Sequence, residues 1–274
     1  MVQNTGRVWL IGGTQESAQL ATAIAHAHLP CIVTVTTLTA KSLYPKREIL
    51  SVWVGCLSPE QLPQFLQAHG ITVILDASHP YAVEISELAI ATAARLNIPY
   101  LRYERPVLDL VETLHATSHR RPETGDWSSF VYLDSFETLL TGNYLIGHRV
   151  LLTIGYRPLA FFHDWQEQAT LFARILPSQT ALAAAFAAGF TPNRVMALRP
   201  PATPALEKAL WQQWQISLVV TKASGEFGGE AVKRRIAAEL NVQLITIARP
   251  HVHYPQQTSD LETALKFCHQ HLHA

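Results

Sequence analysis

The sequence predicts an α/β protein built from two Rossmann-like parallel-sheet domains with an interdomain cleft. Three observations carry that expectation. Short runs rich in β-branched residues alternate with alanine- and leucine-rich stretches of helical spacing, a rhythm that demands parallel strands and right-handed crossovers. The first run leads into Gly12-Gly13 and then at once into a helix, the junction where open α/β sheets bind phosphates. The rhythm breaks off near residues 107–130 and then restarts, so the architecture is read twice.

In order, the first half gives a strand at Val8–Gly12, a helix at Gln15–His28 and strands at Cys31–Thr37 and Glu48–Gly55. A helix at Pro59–Ala68, a strand at Ile71–Ala77, a helix at Tyr81–Leu96 and a strand at Pro99–Tyr103 complete it. Arg121–Asp126 reads as surface loop. In the second half the expected strands are Val150–Ile154, Thr170–Leu176, Arg194–Leu198, Ser217–Thr221 and Gln243–Ala248. Helices are expected at Ala181–Ala188, Ala205–Trp214 and Glu230–Leu240, with Ser259–His271 closing the chain. The domains are therefore drawn as 1–106, the dinucleotide-binding one, and 107–274, with the last helix free to pack back on the first.

Composition narrows the function classes. With 274 residues, 48% hydrophobic and 15% charged, the chain can bury one full core or two smaller ones. A net charge of zero gives no reason to expect a nucleic-acid or membrane-surface partner. The first apolar run, Val8–Ile11, is too short for a signal peptide, and nothing approaches the roughly 18 apolar residues of a membrane span. Cys31, Cys56 and Cys268 are widely separated, as in a reduced cytoplasmic protein. His269, His271 and His273 read as a solvated tail, and no metal site is expected. The chain is expected to be a monomer or a small homo-oligomer.

Four segments can carry chemistry. At Gly12-Gly13-Thr14-Gln15-Glu16, glycine admits close backbone approach and a helix start offers N–H groups to an anion; the plain alternative is an ordinary glycine turn. An NAD-preferring domain places an acidic residue roughly 20 residues later to hold the ribose 2′-hydroxyl. Here no carboxylate lies between Glu16 and Glu48, and Thr36, Thr37 and Lys41 stand in the loop instead, which favours NADPH over NADH. A solvated polar loop is the bland reading of the same residues.

Asp76-Ala77-Ser78-His79-Pro80-Tyr81-Ala82 follows a strand directly, where ligands bind in such sheets. His79 suits proton delivery near neutral pH, Ser78 and Tyr81 suit a ribose or a carboxylate, and Asp76 and Pro80 suit capping and starting a helix. In Arg102-Tyr103-Glu104-Arg105-Pro106, the two arginines could grip substrate carboxylates, or Glu104 could pair with either as a hinge brace. Thr221-Lys222-Ala223-Ser224-Gly225, continuing to Gly228-Gly229, makes a second candidate anion turn; Arg249 adds a cation, and Lys233 reads as a solvated helix lysine.

These segments, in this order and spacing, resemble the precorrin-6A reductase family of cobalamin biosynthesis over about residues 7–250. The family's Gly-Gly-Thr-x-Glu matches Gly12–Glu16, and its Asp-Ala-Thr-His-Pro-Phe-Ala matches Asp76–Ala82 with Ser78 and Tyr81 substituted. Glu-Arg-Pro matches Glu104–Pro106, Thr-Lys-Asn-Ser-Gly matches Thr221–Gly225 with Ala223 for asparagine, and a late Arg-Pro matches Arg249-Pro250. The family's Ser-x-Ala-Gly-Arg after the second strand is replaced by Thr36–Ala40.

The resemblance implies hydride transfer from NADPH, with NADH the alternative, to one double bond of a carboxylate-fringed corrin macrocycle, giving precorrin-6B or its cobalt form. His79 and Lys222 are then the catalytic candidates, with His79 delivering the proton. Gly12, Gly13, Thr14, Glu16, Thr36, Thr37, Lys41 and Ser78 would hold the cofactor. Tyr81, Arg102, Arg105, Ser224, Gly225 and Arg249 would hold the substrate. Competing readings are a non-catalytic nucleotide sensor, an NADPH reductase of another polycarboxylate, and a sugar-nucleotide transferase.

Overall fold

A computed structural model describes residues 6–105, 130–199, 202–225 and 229–272. The surface loop expected at Arg121–Asp126, and Pro106, Gly228 and His273, lie outside the described residues. The chain divides into two compact units, Met1–Pro106 with Pro250–Ala274, and Val107–Arg249.

The first unit runs β1 (Arg7–Ile11), α1 (Gln15–His26), β2 (Cys31–Val35), α2 (Leu38–Lys41), β3 (Leu50–Val54), α3 (Gln61–Ala68), β4 (Ile71–Asp76), α4 (Val83–Leu96) and β5 (Tyr100–Tyr103). Later come β12 (Gln257–Thr258) and α9 (Leu261–Leu272). Its six strands are ordered β12-β5-β4-β1-β2-β3, with every pairing parallel. Period-two alternation explains why the central strands are apolar throughout. Val8, Leu10, Val73 and Leu75 pack towards α1 and α9, while Trp9, Ile11 and Ile74 pack towards α3 and α4.

The second unit runs β6 (Phe130–Leu133), α5 (Phe136–Thr141), β7 (Arg149–Thr153), β8 (Thr170–Ile175), α6 (Gln179–Ala187), β9 (Val195–Ala197), α7 (Pro204–Gln213), β10 (Leu218–Lys222), α8 (Glu230–Leu240) and β11 (Gln243–Ile247). Its sheet is again six-stranded and parallel, ordered β6-β11-β10-β7-β8-β9. Val150, Leu152 and Val220 face one core, and Leu151 and Val219 face another with Trp211 and Ile236.

In each sheet the strand order reverses between two central strands, β1 and β4 in the first and β7 and β10 in the second. Crevices at such switch points, outside the strands' carboxyl ends, are where doubly wound sheets take ligands. No helix among the described residues is long and apolar enough to cross a membrane.

The drawn boundary needs one correction. Residues 250–274 belong to the first unit, not the second: Gln257 and Thr258 pair with Arg102 and Tyr103 as an edge strand, and Ala264, Cys268 and Leu272 enter the first core.

Candidate functional site

The turn after β1 is built around a residue that the motif does not contain. Thr14 caps α1: its Oγ1 accepts from Ser17 N (3.1 Å) and donates to the Ala77 carbonyl (3.0 Å). Ser17 Oγ returns the bond by accepting from Thr14 N at 3.0 Å, which closes a reciprocal cap. Tyr44 enters from the loop beyond α2, its hydroxyl 2.6 Å from Gly13 N and 2.6 Å from Ser17 Oγ. A Cβ on Gly12 would overlap that hydroxyl and crowd Val33 Cγ1 at 2.8 Å. Gly12 is therefore required by the tyrosine in the structure itself. Gly13 is exposed, has φ +106°, and would present an added Cβ to open space; its constraint is the backbone conformation. The Thr14 hydroxyl spends its one proton on the Ala77 carbonyl, so it has none left to donate to a phosphate. The donors that the capping leaves at this helix start are the N–H groups of Gln15 and Glu16.

Asp76, expected to cap a helix, is instead the centre of a buried network. Its Oδ1 accepts from Ser78 N (2.9 Å) and Arg102 Nη1 (3.0 Å), and its Oδ2 from Ser86 Oγ (2.6 Å) and Tyr100 Oη (2.7 Å). Arg102 also donates to Glu104 Oε2 (2.9 Å), Ser78 Oγ (3.0 Å) and the Ser78 carbonyl (3.1 Å), and its guanidinium lies 5.1 Å from the Tyr254 ring centroid. Neighbouring carboxylates hold its pKa up against burial, which acts to lower it. A substrate-gripping role for Arg102 is contradicted, because its side chain is 1% exposed and its donors are spent inside the unit. Ser78, also buried and bonded to Arg102, is corrected in the same way as a cofactor contact. Glu104 acts as the brace.

Next to this network, His79 is exposed and Tyr81 half-buried. Tyr81 N donates to His79 Nδ1 at 3.2 Å, so in the neutral ring Nε2 carries the proton. Arg105 Nε lies 2.8 Å from Glu16 Oε1, with 9% and 7% of the side chains exposed. That ion pair joins the end of β5 to the start of α1, cancelling a carboxylate that would otherwise repel a phosphate there. Thr36, Thr37 and Lys41 are all exposed on the loop after β2, where Thr37 Oγ1 caps α2 by accepting from Ala40 N (3.1 Å). Three of the four sequence segments thus meet at one edge of the first sheet.

The fourth segment follows β10 in the second unit. Lys222 ends the strand, its Nζ 5.9 Å from the Phe136 ring centroid. Burial, reinforced by the like charge of Arg157, pulls its pKa down to about 8. Ser224 is buried, and its N–H donates to the Lys222 carbonyl at 2.7 Å. Gly225 has φ +70°, and its N–H is held by Glu230 Oε2 at 3.1 Å. Arg249 Nε donates to the Ala223 carbonyl at 2.8 Å, bracing the turn from β11. Lys233 is not the solvated lysine expected: it is 3% exposed beside Arg174, Glu207 and Glu230, and burial lowers its pKa to about 8. Tyr44, Tyr100, Ser86 and Glu230 were missed in the sequence because each acts far from its motif or as a single residue without pattern.

Residues 7–269 match the family described as precorrin-6x reductase CbiJ/CobK. A cobalt-precorrin-6A reductase of Synechocystis sp. is 48% identical over 273 residues, covering 99% of each chain. A precorrin-6A reductase of Rhodococcus erythropolis is 29% identical over 258 residues, covering 93% of each chain. A solved structure of CobK precorrin-6A reductase shares the fold, with a TM-score of 0.74 at 22% identity over 97% of each chain.

Proposed function

The chain belongs to the precorrin-6x reductase family, oxidoreductases of cobalamin biosynthesis acting on a CH–CH bond, and on that premise we propose that NADPH is its reductant and cobalt-bearing precorrin-6A its substrate. The observation that carries the cofactor reading is the exposed, positive-φ Gly13 at the first sheet's switch point, directly before the α1 N-terminus. The surroundings fit the group: Glu16 is neutralised by Arg105, and Thr36, Thr37 and Lys41 offer hydroxyls and a cation with no carboxylate among them. Bound there, NADPH would supply the hydride.

The protein's own part is to orient, to hold charge and to supply a proton. Gln15 and Glu16 N–H groups would face the pyrophosphate, and Thr36, Thr37 and Lys41 the 2′-phosphate. On the second unit, Lys222 and Arg249 offer positive charge to a substrate fringed with carboxylates, and the Ser224–Gly225 turn, whose N–H groups are bonded to the Lys222 carbonyl and to Glu230, shapes the place between them. Tyr81 and Arg105 add polar contacts on the first unit. Two groups suit the proton: His79, exposed after β4, and Lys222, which is charged at pH 7 yet gives up its proton more readily than an ordinary lysine.

The cobalt form is favoured because the relative carrying that name is 48% identical, against 29% for the Rhodococcus protein whose name lacks the metal. On this reading cobalt, where present, arrives bound in the macrocycle as part of the substrate. The three cysteines are unpaired, in keeping with a cytoplasmic enzyme.

Titration with NADPH and with NADH, followed by nicotinamide fluorescence, tests the reading. Preferential NADPH binding that Gly13→Val abolishes is the expected result. Equal affinities would withdraw the 2′-phosphate site, and unchanged affinity in Gly13→Val would move the cofactor away from this turn.

A further inference from the structure

We infer that Tyr44 is the positioning residue that sets this enzyme's preference between phosphorylated and unphosphorylated nicotinamide cofactors. The inference rests on the reading that NADPH binds at the turn after β1. Tyr44 itself lies outside both segments assigned to the cofactor, yet it is bonded to each. Its N–H donates to the Lys41 carbonyl at 3.3 Å, which ties its backbone to the residue offered to the 2′-phosphate. Its side chain runs the other way, into the glycine turn.

The hydrogen bonds there have a single direction. Ser17 Oγ gives its proton to the Thr14 carbonyl (2.7 Å) and accepts from Thr14 N (3.0 Å). Between Tyr44 and Ser17, 2.6 Å apart, the phenol must therefore be the donor, while its oxygen accepts the Gly13 N–H at 2.6 Å. Burial raises the phenol's pKa, so it remains a donor throughout the neutral range. The ring is 6% exposed, and only the absence of a Cβ on Gly12 makes room for its hydroxyl.

Two consequences follow. The Gly13 N–H belongs to the tyrosine, so the anion at this turn falls to the next two N–H groups of α1. The pairing of β1 with β2 sets the coarse separation of those donors from Lys41, and Tyr44, bonded at both ends, braces the glycine turn directly against the Lys41 loop. In the cofactor, the distance from pyrophosphate to 2′-phosphate is limited by covalent structure. NADPH must satisfy both ends of the span, and NADH only one. Loosening Tyr44 should accordingly penalise NADPH selectively.

The test is the dissociation constant of each cofactor for the wild-type protein and for Tyr44→Phe, read by nicotinamide fluorescence, with thermal unfolding measured alongside. Tyr44→Phe keeps the ring and removes one neutral buried hydroxyl. NADPH should weaken by about fivefold to tenfold, the equivalent of one such hydrogen bond, and NADH by less than about twofold. A tyrosine that merely supports the fold would lower the melting temperature and leave the NADPH:NADH ratio as it was, and that result overturns the inference. Equal weakening of both cofactors overturns it too. If Tyr44→Phe does not fold, Ser17→Ala breaks the same chain one link further on and is read the same way. A wild-type protein without NADPH preference would remove the underlying reading and this inference together. A preference that survives Tyr44→Phe would remove this inference alone.

Discussion

Arg102 Nη1 sits 3.0 Å from Asp76 Oδ1 at the paired ends of β5 and β4, with 1% and 0% of the two side chains exposed. Two opposite charges are thus shut inside the first unit at the point where a ligand-binding segment begins. Their desolvation is offset by Ser78, Ser86, Tyr100 and Glu104, which supply hydrogen bonds to both partners.

Removing one partner would leave the other as an uncompensated buried charge. Arg102→Ala should therefore cost about 3–5 kcal/mol of stability, measured as a loss in the urea midpoint with the slope retained. Near-wild-type stability with a raised KM for the corrin substrate would instead restore Arg102 as a substrate contact.

That pair also shows where sequence reasoning reaches its limit. Short runs rich in β-branched and other apolar residues, such as Val8–Ile11 and Ile71–Leu75, made the parallel sheets legible, because strands covered on both faces are largely apolar. Glycine followed by a capping threonine marked the turn after β1. Arg102, however, looks the same in sequence whether it points at a ligand or at Asp76, and the strand pairing that turns it inward is a long-range fact. Lys233 is lost for the same reason, since nothing local says that Arg174 and Glu207 will cover it. Residues 250–258 lack periodicity, and the two-residue strand β12 exists only because β5 offers an open edge. Phe130–Leu133 and Phe136–Thr141 are too short to announce themselves after an aperiodic stretch.

The two adjacent glycines should fail differently. Gly12→Ala drives a methyl group into the Tyr44 hydroxyl and should cost about 1–3 kcal/mol by overpacking. Pairing it with Tyr44→Phe removes the oxygen that the methyl group meets, so the double variant should recover part of the loss. Gly13→Ala meets no atom, and only its φ of +106° opposes a side chain. Unfolding of these three variants and of Tyr44→Phe alone checks this; strict additivity in the double variant would deny the contact.

Lys233 gives a pH signature of stability. Burial lowers its folded pKa to about 8 from an unfolded value of 10.5. Between those values the unfolded chain binds a proton that the folded chain does not, so this lysine makes stability rise with pH from 8 to 10.5, and its full penalty is present below 8. Lys233→Met removes that term. Relative to wild type, its stability should fall by about 1–3 kcal/mol between pH 7 and pH 10.5, as read by urea unfolding at each pH. A constant difference across the range would mean that Lys233 titrates normally.

Lys222 gives a pH signature of rate. With its pKa lowered to about 8 by burial and by Arg157, the ammonium is charged at pH 7 and neutral above pH 9. If it delivers the proton that accompanies the hydride, turnover at saturating substrate must fall as pH rises through about 8, because the acid form is lost. Lys222→Met should lower the rate by about 10²–10⁴-fold, the usual worth of a positioned acid, and flatten that alkaline limb. Substrate binding through the same charge would show instead as a KM that climbs above pH 8 while kcat stays level. If Lys222→Met keeps the limb in kcat, the proton comes from elsewhere, and His79→Gln becomes the variant that should erase it. Following kcat and KM separately from pH 6 to 10 in both variants therefore assigns the proton donor.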